Sequence, residues 1–139
     1  MGTSTGALKV AAVGLAISSS LHNADHFRRG TDSVSTELLW AGYAGMAWTI
    51  VTVVLILVGH RWAPVVAVAA GLPLAVGFAA AHWLPTWSVF SDSFVEGGAS
   101  VVSQAASLAE IAGALGVAAA GVFALRTERA PLPDHRTVG

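Results

Sequence analysis

Cysteine is absent from the 139 residues, and lysine occurs once, at Lys9. Without thiols the chain forms no disulfide framework, no thiolate metal site and no cysteine nucleophile, and nothing in it marks a redox compartment. Charge is also scarce. Asp, Glu, Lys and Arg make up 11% of the residues, whereas soluble domains carry about 25%. That is too little to coat a water-facing surface, and it excludes an ordinary cytosolic enzyme. A net charge of −1 without a basic patch excludes nucleic acid as a partner. What abounds is apolar: 55% of the residues are hydrophobic and the mean hydropathy is +0.69, which excludes a disordered chain. These proportions point to an integral membrane protein of about one domain, with the lipid bilayer as its first partner.

A spanning helix needs about 20 mainly apolar residues. Four such runs, at about 7–27, 36–58, 62–84 and 100–125, predict an all-α four-helix bundle forming one transmembrane domain over 1–126, with a disordered cytoplasmic tail over 127–139. A cleaved signal peptide is the rival reading of the first run, but no small-x-small cleavage site follows it. Short connections make neighbouring helices antiparallel, hence up-down-up-down. Lys9, Arg61, Arg126, Arg129 and Arg136 fall on one side and only Arg28 and Arg29 on the other. The positive-inside rule therefore places both termini in the cytoplasm, in a plasma (inner) membrane. Trp40, Trp83 and Trp87 would mark the outer interface and Trp62 the inner one. Ala41 and Gly45, Gly71 and Ala75, and Ala112, Gly116 and Ala120 offer the small-residue spacing that lets helices approach in lipid. Self-association through such faces stays open.

The few ionisable groups gather towards the outer side. His22, Asp25, His26 and Arg29 are spaced to share one helix face, continued by Ser18 and Gly14. Two histidines four residues apart can bind one metal ion from adjacent turns. His82 ends a row with Gly71, Ala75 and Phe78 at a similar depth. Ser100, Ser103, Ser107, Glu110 and Ala114 form a further row, in which Glu110 lacks an opposite charge on its own helix. Ionisable groups at membrane depth are costly, so those present point to a site.

His22, His26, His82 and Glu110 are the candidate metal ligands, with zinc preferred over iron. Glu110 and Asp25 are the candidate catalytic groups: Glu110 as fourth ligand or as base on a metal-bound water, Asp25 as ligand or as acceptor from a ligand's other ring nitrogen. Arg28 and Arg29 are interfacial anchors or cofactor-binding groups, near an anionic headgroup or the propionates of a haem. Glu37 fits a helix-capping acid, with a carboxylate ligand as its alternative. The loop from Pro85 to Gly98 is either a lid over the site or an interfacial segment held by Trp87, Phe90 and Phe94.

The His22–His26 spacing resembles one histidine box of membrane desaturases and hydroxylases, di-iron enzymes with many more histidines than the five here. Ser18 one turn before His22 is similar to part of the serine, aspartate and histidine zinc site of ceramidase-type membrane hydrolases, which are larger bundles. Both are likenesses of chemistry and assign no family. The expectation is a metal-dependent hydrolase acting on a lipid-like small molecule. Two alternatives stand beside it: a non-enzymatic bundle, such as a transporter component or assembly partner with a polar His-Glu-Asp-Arg knot, and a b-type haem protein with His22 or His26 facing His82.

Overall fold

A computed structural model describes residues 2–128. It contains the four expected helices, α1 (Gly2–Arg29), α2 (Thr36–Leu57), α3 (Ala63–Trp83) and α4 (Val101–Glu128), each long and apolar enough to cross a membrane. Helix α4 runs past the expected end near Leu125, because Arg126-Thr127-Glu128 contains neither proline nor glycine to stop it. The rest of the expected tail, 129–139, lies outside the described residues.

The helices turn large apolar side chains outwards, and polar residues join the apolar ones in the core. Val10, Phe27, Val58, Val76 and Val101 are all at least two-thirds exposed, whereas Ser18, His22, Asp25, Ser103, Ser107 and Glu110 are buried. Apolar side chains outside and polar ones inside suit contact with lipid tails, and suggest a membrane protein. Ser18 lies against Gly113, Arg28 reaches Ser100 and Ser103, and Pro64 and Trp83 meet Gly121 and Ser107, so α4 runs antiparallel to α1 and α3. His22 meets both Phe78 and His82, which makes α1 and α3 parallel.

Close packing on α4 comes from glycine. A Cβ on Gly121 would sit 2.8 Å from the Pro64 carbonyl oxygen and one on Gly113 3.2 Å from Leu15 Cα, and Gly71 of α3 is pressed as tightly against Ala114 and Ala118. The contact face of α4 therefore runs through Gly113, Ala114, Val117, Ala118 and Gly121. This corrects the expected row of Ala112, Gly116 and Ala120: Ala112 and Gly116 are exposed and only Ala120 touches the core. In a chain this rich in small residues their spacing does not fix a helix's rotation. The need to bury Ser103, Ser107 and Glu110 does, and it turns the next small residues on that row inwards. On α1 the buried row passes through Leu15 below Ser18, and Gly14 is exposed.

Helix α2 is the loosest member. Its buried residues are Thr49, Thr52 and Ile56, all in its second half. It starts where Gly30, at φ 88°, turns the chain into a single 3-10 turn, and Ser35 caps it by accepting the Leu38 amide at 3.1 Å. Glu37 is exposed in the first turn and the cap itself is Ser35. At its far end His60 N–H donates to the Leu55 carbonyl and Gly59 takes φ 70°, which closes the helix before Pro64 opens α3.

Candidate metal centre

Three imidazoles converge at one end of the bundle. His22 and His26, one turn apart on α1, bring their Nε2 atoms to 3.0 Å, and the ring of His82 from α3 lies 5.0 Å from that of His22 and 5.9 Å from that of His26. Each offers one ligand nitrogen, and the three nitrogens all lie within 4.8 Å of one another. In a tetrahedral zinc site with Zn–N near 2.0 Å, ligand nitrogens stand about 3.3 Å apart. The α1 pair, at 3.0 Å, is close to that spacing.

The surrounding groups orient the rings. His82 places Nδ1 3.1 Å from the Asp92 backbone carbonyl and 3.5 Å from its carboxylate, which leaves Nε2 to face the other two histidines. This is the support a metal-ligating imidazole ordinarily receives. His26 Nδ1 accepts from an Arg29 Nη at 3.0 Å. The network thereby assigns the His26 proton to Nε2, from where it is donated to His22 Nε2, and His22 Nδ1 is buried without a partner. For His26 to ligate through Nε2, its proton must move to Nδ1 and Arg29 must turn away. Asp92 and Asp25 already hold that guanidinium, at 2.6 Å and 3.3 Å.

Glu110 approaches from α4. It is 1% exposed, its Oε2 lies 3.8 Å from His22 Nε2 with no hydrogen-bond partner, and Ser19 hydrogen-bonds the carboxyl. It stands beside the three nitrogens, outside their converging set. Asp25 lies elsewhere: Arg28 grips its Oδ1 through Nε at 3.0 Å and Nη at 2.7 Å, and the same guanidinium reaches Ser100 and Ser103. Asp25 thus ties α1 to α4. Arg28 and Arg29 are both committed to carboxylates of the protein, with Arg29 also 5.4 Å above the Phe94 ring.

Asp92 and Phe94 come from the long loop, which folds back onto α3. The amide of Asp92 donates to the Ala81 carbonyl at 2.9 Å and that of Phe94 to the His82 carbonyl at 2.8 Å. Phe94 is buried and stacks on His82 at 4.6 Å. Burial alone would raise the Asp92 carboxyl, but hydrogen bonds with His82 and Arg29, and the charge of Arg29, overcome it and hold the group well below the usual carboxylate range. The length of this connection pointed to a segment over the site but did not single out Asp92 as the partner of His82; its Gly97 and Gly98 take positive φ and return the chain to α4.

A cavity of about 660 Å³ opens beside the histidines, bounded by α1, α2 and α3. His22, His26, His82 and Glu110 occupy its polar end, and Leu38, Met46, Trp48, Leu74 and Phe78 are among its apolar walls. No protein-family model, curated protein or solved structure matches the chain significantly. The chemistry of the site therefore rests on its geometry.

Proposed function

We propose that the chain is a polytopic membrane protein holding one transition-metal ion of the zinc class on His22, His26 and His82, and that it hydrolyses an acyl bond in a lipid-like substrate. The observation that carries this reading is the convergence of three imidazole nitrogens from two helices, with His82 supported by Asp92. A zinc-class ion held by these three imidazoles would supply Lewis acidity and an activated water. Glu110, whose Oε2 is buried without a partner 3.8 Å from His22 Nε2, would accept a proton from the attacking water as its oxygen bonds to the acyl carbon, and would return that proton to the leaving group as the carbon–heteroatom bond breaks. Zinc needs no electron partner, and no thiolate is present to favour a softer metal. The lysine and arginine distribution supports a plasma (inner) membrane, with the histidine end outward and the start of α1 and the end of α4 inward.

The second reading is a metal-free polar knot that only holds the helices together. It draws support from the direct His22–His26 hydrogen bond and the Arg28–Asp25 and Arg29–Asp92 pairs. A b-type haem fits less well. Haem takes axial imidazoles from opposite faces of a flat ring, whereas here His26 Nε2 stands 3.0 Å from His22 Nε2, within the space a macrocycle would need.

Purified untagged protein in detergent, given a fluorogenic palmitoyl ester, tests the enzymatic reading. Turnover should stop with a chelator and return with one equivalent of zinc. Glu110→Gln should keep the metal and lower kcat by about 10²-fold or more, the usual weight of a general base. Turnover indifferent to both the chelator and Glu110→Gln would overturn the mechanism.

A further inference from the structure

The cavity beside the histidines is shaped for a particular occupant. Helix α2 buries residues only in its second half, so its first half, nearest the histidines, stands away from α1 and α3. The gap is walled by apolar side chains and has one polar end, where His22, His26 and His82 meet a buried Glu110 carboxylate oxygen that has no partner. Its rim includes Phe27, Tyr43, Trp48 and Trp87, which are between 40% and 73% exposed, so it is reached from the side of the bundle. That side would face lipid. A void walled by apolar groups forfeits dispersion contacts that a filling chain restores.

Size narrows the choice. At about 30 Å³ for a group the size of a water molecule, 660 Å³ has room for roughly twenty such groups. One hydrocarbon chain with its head fills that space, and two chains do not. Gly42 and Gly77 face open space, since a Cβ at either would meet nothing within 4 Å.

We infer that this cavity binds a single-chain amphiphile, its hydrocarbon tail between the first half of α2 and helices α1 and α3 and its carbonyl or carboxylate head against the three histidines and Glu110. For the chemistry at the head this rests on the metal-centre reading. The seat of the tail does not.

Native mass spectrometry of the full chain, released from detergent after incubation with palmitic acid, tests the inference. Wild-type protein should retain one palmitate per chain, and should still do so after chelator treatment. The double variant Gly42→Leu/Gly77→Leu, at two cavity-lining positions where an added Cβ meets nothing within 4 Å, should lose the adduct by about tenfold or more, the factor that an overpacking penalty corresponds to. Its helicity and metal content should stay at wild-type levels, so that a folding failure is recognised, and in that event the single variants Gly42→Leu and Gly77→Leu carry the test. A phospholipid with two palmitoyl chains should be retained far less than palmitate. Equal palmitate retention by the well-folded plugged protein, or equal retention of the two-chain lipid, would overturn the inference. Wild-type protein that binds palmitate but takes up no metal after incubation with zinc would overturn the metal reading alone.

Discussion

Asp92 shows how much of the site depends on residues that touch no substrate. Its carbonyl and carboxylate orient His82, and its carboxylate holds the Arg29 guanidinium that also donates to His26 Nδ1. Asp92→Asn should therefore weaken metal binding by about 10- to 100-fold, as loss of such support does elsewhere, measurable by competition with a zinc indicator. The same group sets a pH dependence. A carboxyl depressed in the folded state contributes stability above its unfolded pKa, near 3.9, and loses it as pH falls towards the folded value. The tie between the loop and helices α1 and α3 should thus be intact from pH 5 to 8 and weaken below about pH 4. Amide exchange at Asp92 and Phe94 should accelerate there in wild type, whereas in Asp92→Asn it should already be fast at pH 6. At this scale His22, His26 and His82 were legible because helical spacing and depth are written in the chain. So was the pairing of Asp25 with Arg29, one turn along the same helix, whereas the partners of Asp92 were not, because an irregular loop has no periodicity from which to place a side chain.

Among the helices, α4 carries the packing and α2 the opening. Gly113 and Gly121 of α4 sit where a Cβ meets backbone of α1 or α3, and Gly116 sits where it meets nothing. Gly121→Ala should destabilise the bundle by about 1–3 kcal/mol through forced separation of α3 and α4. Gly116→Ala should be neutral or stabilising by up to about 1 kcal/mol through helix propensity. Thermal unfolding in one detergent compares the two, and equal effects would contradict the assigned face. The number, type and approximate limits of the helices were legible because apolar run length is a direct signal. The rotation of α4 was misjudged from its small residues, although its own serine and glutamate row already carried the right phase. Buried polar groups constrain rotation where alanine and glycine, present on every face, do not.

For the whole molecule, absence proves useful experimentally. A chain without cysteine accepts single-cysteine labelling without background. In intact cells Val95→Cys, in the exposed part of the long loop, should react with an impermeant maleimide, whereas His60→Cys, between α2 and α3, should react only after permeabilisation. The reverse pattern would invert the proposed orientation. The central claim is that His22, His26 and His82 hold one metal ion, and elemental analysis of untagged, detergent-purified protein tests it most directly. The account predicts about one zinc, or less readily iron, per chain, lost in both His22→Ala and His82→Ala while the helices stay folded. A folded wild-type protein that remains metal-free after incubation with zinc, or metal retained undiminished in both variants, would contradict it.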